Sequence, residues 1–115
     1  MKSPKESKAY LQDILQAIRR IREYTQGMDE KSFKSNHMAL DAVIRQLAIV
    51  GEAVTHLPKE MRDKEPEIPW KSVVGMRNIL IHSYAEVDEA TVWKAANSDL
   101  VSLEKCVKKL LKEDP

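Results

Sequence analysis

An arginine, an asparagine and a histidine stand close together in the segment Arg77-Asn-Ile-Leu-Ile-His82-Ser-Tyr84. A guanidinium can bind a phosphate through two parallel hydrogen bonds and stabilise charge on its oxygens, and an amide can position it. An imidazole can move protons near neutral pH. These side chains are consistent with metal-independent RNA cleavage, in which a ribose 2′-hydroxyl attacks the adjacent phosphate. Arg77 and His82 are therefore the candidate catalytic residues, with Asn78 supporting them.

The same segment lies on a predicted helix, and Arg77 falls at the centre of the apolar stripe of that helix. A guanidinium that faces a core is costly unless it is paired or lines a cavity. Arg77 therefore either belongs to a site or pairs with a carboxylate such as Asp41 or Glu52 in a structural network, with His82 as a satisfied histidine at the helix end. At about 100° per residue, the stripe contains Trp70, Val73, Val74, Leu80, Ile81 and Tyr84.

The relative positions of Arg77 and His82 limit how a site can form. Gly75, Asn78 and His82 lie along the edge of the stripe, where the glycine leaves room for another chain or a ligand. Arg77 and His82 are five residues apart, which is about 140° around an ideal helix. They converge if the helix ends or distorts near His82, or if a second subunit completes the site. A two-fold dimer would supply two histidines, one as base and the other as acid.

Hydrophobic periodicity predicts four amphipathic helices that position this segment. Gly27 ends the first, and Asp88 is the N-cap of the last. A charged, solvated connector between Pro58 and Pro66 holds a short surface helix, and a single short turn is predicted at 29–33. The fold class is therefore all-α, an up-and-down bundle of four main helices plus a short connector helix. The main helices cover about residues 7–24, 36–56, 70–84 and 88–112.

Gly51 lies on the apolar stripe of the second helix, where glycine otherwise costs about 1 kcal/mol relative to alanine. The absence of a side chain at this position predicts the close approach of a neighbouring helix.

The composition indicates one soluble globular domain spanning residues 1–115. The chain is 43% hydrophobic and 32% charged, and its 19 Lys and Arg residues nearly balance 18 Asp and Glu residues. The resulting net charge of +1 gives no global electrostatic case for nucleic-acid binding, so an RNA-binding surface requires local segregation of charge. No signal peptide or membrane span is recognisable, and a cytoplasmic location is expected.

Several other residues that could carry chemistry have simpler structural interpretations. Cys106 is the single cysteine, so an intramolecular disulfide and a cysteine-based zinc site are excluded. His37 and His56 stand at opposite ends of the second helix, too far apart to share a metal, and are interpreted as surface histidines. Trp70 and Trp93 are interpreted as packing residues of the core or of a dimer interface rather than as stacking platforms for bases. Lys108, Lys109 and Lys112 are interpreted as a solvated helix end.

The segment Arg77-x4-His82 resembles the Arg-x4-6-His motif of HEPN domains. The fuller pattern Arg-Asn-x-x-x-His-x-Tyr resembles the HepT-like toxin family of bacterial and archaeal toxin–antitoxin pairs, although Ser83 stands where that family commonly has glycine. The resemblance covers roughly residues 9–105. It includes Asp13-Ile-Leu-x-Ala-Ile, Asp41-Ala-Val-Ile-Arg-x-Leu-x-Ile-Val-Gly-Glu-Ala53, Leu57-Pro58, Pro66-Glu-Ile-Pro-Trp70, Gly75-Met-Arg-Asn78 and Val87-Asp88.

This resemblance implies a HEPN-type helical homodimer whose paired motifs form a ribonuclease site for tRNA or mRNA. Arg77 and His82 would be catalytic and Asn78 supporting, with no metal ion and no cofactor in the chain itself. It also implies a partner, an MntA-type nucleotidyltransferase antitoxin, which uses ATP and magnesium to attach AMP to Tyr84. AMP at this position would oppose RNA entry through its bulk and negative charge.

Two other functions stay open at this point. The chain could be a non-catalytic HEPN module that binds nucleotide or protein as a subunit of a nucleotidyltransferase complex. It could also be a plain helical scaffold, in which case replacing Arg77 by leucine should be neutral or stabilising.

Overall fold

Seven α-helices and one π-helical turn make up the described part of the computed structural model, residues 4–82 and 88–113. These ranges contain no β-strand, so the predicted all-α fold is confirmed. The helices are α1 (Pro4–Thr25), α2 (Glu30–Ser35), α3 (His37–Thr55), α4 (Lys59–Asp63), α5 (Trp70–His82), α6 (Glu89–Lys94) and α7 (Leu100–Glu113), with the π-helical turn at Ala95–Asp99.

Gly27 and two capping residues determine where α1 ends and where α2 and α3 begin. Gly27 follows α1 with a φ of 77°, in the left-handed region that glycine adopts without a Cβ clash. Asp29 caps α2, because its carboxylate accepts from the Ser32 N–H at 2.8 Å and its own N–H donates to the Ser32 hydroxyl at 3.1 Å. Asn36 caps α3 by accepting from the N–H three residues further on, at 3.0 Å. The predicted turn at 29–33 is therefore the start of α2.

The core lies where α1 packs against α3 and α7, and α5 packs against α3. Among the described residues, no helix is long and apolar enough to cross a membrane. The apolar stripes predicted for the first, second and fourth helices are buried at nearly every position. The buried members are Leu11, Ile14, Leu15, Ile18, Ile21, Val43, Ile44, Leu47, Val50, Val54, Val92, Ala96, Leu100, Leu103, Val107 and Leu110.

The fourth predicted helix begins as expected and then departs from a regular α-helix. Asp88 caps α6, with its carboxylate accepting from the Ala90 N–H at 3.2 Å. The π-helical turn then separates α6 from α7. Val92 and Leu100 are both buried although eight residues separate them, more than the roughly 7.2 residues of two α-helical turns. The wider π-helical turn absorbs the extra residue and keeps the stripe on one face.

The prediction that the connector before α5 is solvated is wrong at Glu65. This residue is only 4% exposed, and its carboxylate accepts from Lys109 Nζ of α7 at 3.1 Å. The Trp70 indole N–H points back to the connector and donates to the carbonyl oxygens of Arg62 at 3.0 Å and Glu65 at 3.1 Å. An indole N–H and the last carbonyls of a short helix each need partners, and here they satisfy one another. The connector thus fixes the start of α5.

Helices α3 and α5 approach each other closely at Gly51, as the sequence predicts. A Cβ added to Gly51 would overlap the Cβ of Arg77 and would lie 3.0 Å from its Cγ and 3.2 Å from the Val73 carbonyl oxygen. The first two carbons of the Arg77 side chain therefore occupy the space that Gly51 leaves open.

We predict that Gly51→Ala lowers the free energy of unfolding by about 1–3 kcal/mol, the usual effect of overpacking a tight interface. The steric overlap outweighs the gain of up to about 1 kcal/mol from replacing glycine inside a helix. Equilibrium unfolding in urea measures the difference.

Gly75→Ala, in α5, is the matched control. Apart from its chain neighbours and the nearby backbone of its own helix, no atom of the described residues lies within 4 Å of a Cβ added there. This variant should keep its stability or gain up to about 1 kcal/mol. Equal destabilisation by both changes would contradict the close approach at Gly51.

Candidate functional site

The Arg77 guanidinium lies at the surface between α3 and α5 and has two polar partners. Its Nη2 atom is 2.7 Å from Glu52 Oε2, and its Nη1 atom donates to Asn78 Oδ1 at 2.7 Å. Arg77 therefore pairs with a carboxylate, that of Glu52, as expected if it belongs to a structural network. The structure also brings Arg77 and Asn78 together.

Arg77 avoids part of the desolvation cost expected of a charge in an apolar stripe, because its side chain is partly exposed. The side chain is 27% exposed, while its first carbons pack on Gly51. The neighbouring stripe residues Val73 and Val74 are only half-buried as well. The expectation of a guanidinium facing the core is therefore too strong. Helical periodicity identifies one face of α5, but it does not show how far that face is covered.

Arg77 retains hydrogen-bonding capacity beyond its two described partners. A guanidinium carries five N–H donors, and Glu52 and Asn78 each accept from one nitrogen. Its Nε atom is buried and has no hydrogen-bond partner among the described residues. The Glu52 side chain is 50% exposed, so the ion pair contributes at most about 1 kcal/mol to stability. The ion pair therefore orients the guanidinium and leaves some of its N–H groups available to a ligand.

His82 lies in α5, which is helical through this residue, but its side chain is outside the described part of the structure. Tyr84 and the departure at Ser83 also lie outside the described residues. An unbroken helix from Arg77 to His82 places their Cα atoms about 7.5 Å apart along the axis and about 140° apart around it. The Cα atoms of the two residues therefore lie on different sides of the same helix.

His56, which the sequence does not single out as a site residue, contacts the same carboxylate as Arg77. Its Nε2 atom is 3.3 Å from Glu52 Oε1, and its ring stacks on Tyr10 of α1 with centroids 4.6 Å apart and planes 9° apart. The His56 side chain is 36% exposed, as expected of a surface histidine, but it also contacts Glu52 and Tyr10. The four-residue spacing from Glu52 to His56 on one helix was the available signal.

An apolar groove of about 220 Å³ runs beside α5, between α3 and the π-helical turn. Val73 and Met76 of α5 line it together with Leu47 and Val50 of α3 and Leu103 of α7. Its lining therefore includes half-buried apolar residues of the helix that carries Arg77.

The remaining candidate residues lie elsewhere in the fold. Burial raises the pKa of the Cys106 thiol to about 12, so this thiol is protonated at neutral pH and is a poor nucleophile. His37 is exposed at the start of α3. Trp93 packs against Phe33 with ring centroids 5.2 Å apart, and Trp70 is half-buried, so both tryptophans pack as expected. Among the described residues, no group of three or more His, Cys, Asp or Glu side chains is placed to hold a metal ion.

Comparison with known proteins gives consistent matches over most of the chain. The family model for "Ribonuclease HepT-like" matches residues 14–110. "Putative RNase MJ1380" of Methanocaldococcus jannaschii is 41% identical over 90% of this chain and 94% of that protein. "Probable ribonuclease HepT" of Thermococcus cleftensis is 40% identical over 91% and 96%, respectively. "Putative RNase TTE0752" of Caldanaerobacter subterraneus subsp. tengcongensis is 38% identical over 99% of both chains. No solved structure gives a significant match.

A helical bundle that carries an arginine and a histidine five residues apart on one helix has the architecture of a HEPN domain. The chain belongs to the ribonuclease HepT-like family. The predicted HEPN-type bundle and the resemblance to HepT-like proteins are both confirmed.

Proposed function

We propose that this chain is an endoribonuclease that cleaves cellular RNA without a metal ion and acts as the toxin of a toxin–antitoxin pair. The main support for this proposal is the environment of the Arg77 guanidinium. This guanidinium is partly exposed, directed by Glu52 and Asn78, and on the same helix as His82. Relatives that are named as ribonucleases and cover nearly the whole chain support the same reaction class.

Arg77 is the phosphate-binding group in this proposal. A guanidinium can bind two phosphate oxygens at once and stabilise the negative charge that increases on them in the transition state. The contact with Asn78 Oδ1 at 2.7 Å leaves the Asn78 amide close to the same phosphate. Asn78 is exposed, so it can help to orient the phosphate without first being uncovered.

The histidines transfer the protons. One His82 imidazole accepts the proton of the ribose 2′-hydroxyl as this oxygen attacks phosphorus. The bond from phosphorus to the 5′-oxygen breaks, and a second imidazole donates a proton to the leaving oxygen. The products are a 2′,3′-cyclic phosphate and a 5′-hydroxyl, and no metal ion is needed to balance the step.

A two-fold homodimer supplies the second imidazole. The helical geometry of α5 directs Arg77 and His82 of one chain about 140° apart, so pairing with a second α5 is the simplest way to surround one phosphate. The half-buried Val73, Val74 and Met76 provide apolar surface on α5 for this pairing. Val73 and Met76 also line the apolar groove.

The proposal predicts that purified protein cleaves tRNA or mRNA in the presence of EDTA. Arg77→Ala and His82→Ala should each lower kcat/KM by at least about 100-fold, because each removes charge stabilisation or proton transfer from the transition state. His37→Ala is the matched control, since it changes an exposed histidine of α3, and it should cut RNA at the wild-type rate.

Two results would contradict the catalytic proposal. In the first, the wild-type protein leaves RNA intact, which favours the alternative of a non-catalytic nucleotide- or protein-binding subunit of a nucleotidyltransferase complex. In the second, both variants cut as fast as the wild type, which assigns the cleavage to other residues or to a contaminant.

The proposed regulator is an MntA-type nucleotidyltransferase that modifies Tyr84. The tyrosine hydroxyl loses its proton and attacks the α-phosphorus of ATP. The bond from that phosphorus to the bridging oxygen breaks, pyrophosphate leaves, and AMP becomes ester-linked to the ring oxygen. Tyr84 follows His82 by two residues in the sequence. A bulky phosphodiester this near the motif would repel and obstruct an RNA phosphate.

Incubation with the transferase, ATP and magnesium should therefore increase the intact mass of the chain by one or more AMP groups and abolish RNA cleavage. Tyr84→Phe should gain no AMP and should keep cutting RNA in the same mixture. Tyr24→Phe, in α1, is the matched control and should be modified like the wild type. An equal mass gain in Tyr84→Phe would remove Tyr84 from the proposal.

A further inference from the structure

A continuous row of side chains connects α1 to the Arg77 guanidinium. The Tyr10 ring stacks on His56 with a centroid separation of 4.6 Å, and His56 Nε2 lies 3.3 Å from Glu52 Oε1. The other oxygen of the same carboxylate, Oε2, lies 2.7 Å from Arg77 Nη2. His56 and Arg77 thus contact opposite oxygens of Glu52.

We propose that His56 is a positioning residue for Arg77. By donating to one oxygen of Glu52, it holds the carboxylate in the orientation in which the other oxygen directs the guanidinium. This inference rests on the proposed ribonuclease function, because it assigns to His56 a part in presenting Arg77 to the RNA phosphate.

Glu52 needs a second contact to serve as a fixed partner. Its side chain is 50% exposed, and fixing a mobile glutamate side chain costs conformational entropy. A single exposed ion pair is too weak to offset that loss. Contacts at both oxygens restrain the rotation of the carboxylate, so His56 supplies the restraint that Arg77 alone cannot.

The surroundings of His56 suit this task. It is the C-cap residue of α3, one helical turn after Glu52, so the backbone sets the distance between them. The stack on Tyr10 restrains the imidazole from a different helix. A carboxylate oxygen only accepts hydrogen bonds, so the Nε2 atom that faces it carries the proton.

Two variants of His56 separate the hydrogen bond from the stack. His56→Phe keeps a ring against Tyr10 but removes the N–H, whereas His56→Gln keeps an N–H at a similar reach and removes the ring. If the hydrogen bond to Glu52 acts on Arg77, the phenylalanine variant is impaired and the glutamine variant retains most of the wild-type behaviour. His37→Phe, at the other end of α3, is the matched control.

The first measurement needs no RNA. The heteronuclear NOE of the Arg77 Nε–Hε group reports how firmly the guanidinium is held. We expect it to fall in His56→Phe and in Glu52→Ala, and to stay at the wild-type value in His56→Gln and His37→Phe. An unchanged value in His56→Phe would overturn the positioning role, whether or not the protein cleaves RNA.

The second measurement is the cleavage of a short single-stranded RNA. His56→Phe should lower kcat roughly two- to fivefold with little change in KM, the size of a weak coupling between neighbouring side chains. In the Glu52→Ala background it should have no further effect, because His56 acts through that carboxylate. An equal loss in both backgrounds would show a merely structural role and overturn the proposal. A wild-type protein that cuts no RNA would refute the ribonuclease function, while the NOE still decides whether His56 positions Arg77.

Discussion

The contact between Gly51 and Arg77 is the constraint on which the rest of the site depends. Only a residue without a Cβ lets α5 approach α3 closely enough for the first carbons of Arg77 to pack on the backbone. That packing leaves the guanidinium at the surface, where Glu52, the next residue of α3, pairs with it at 2.7 Å. One helix therefore supplies both the space for the arginine and the charge that directs it.

The remainder of the bundle holds these two helices in place. Helix α3 packs on α1 through the core, and the stack of Tyr10 on His56 extends that contact to the edge of the site. The connector before α5 is anchored through buried Glu65 and the indole N–H of Trp70. These contacts lie outside the Arg77 site, yet they fix where α5 starts and how it lies against α3.

Much of the fold follows from local sequence signals, because helical periodicity, the caps at Asn36 and Asp88 and the glycine at position 51 act over a few residues. The features that could not be predicted depend on contacts between distant parts of the chain. The charged composition around Glu65 gives no hint of Lys109, and periodicity alone does not reveal how exposed the Arg77 face is. The stack of His56 on Tyr10 likewise joins two helices that are distant in the sequence. The local signal of the π-helical turn is the pair of four-residue steps from Val92 through Ala96 to Leu100 in the last apolar stripe.

In the proposed reaction, the Arg77 guanidinium binds the RNA phosphate. This contact is tested most directly by following the Arg77 Nε–Hε resonance while a single-stranded RNA with methylated 2′-hydroxyls, which cannot be cleaved, is added to the protein. We expect a saturable shift of this resonance, with the same dissociation constant that the backbone amides of α5 report. Shifts confined to other parts of the protein, with the Arg77 resonance unchanged at saturation, would contradict the proposed contact.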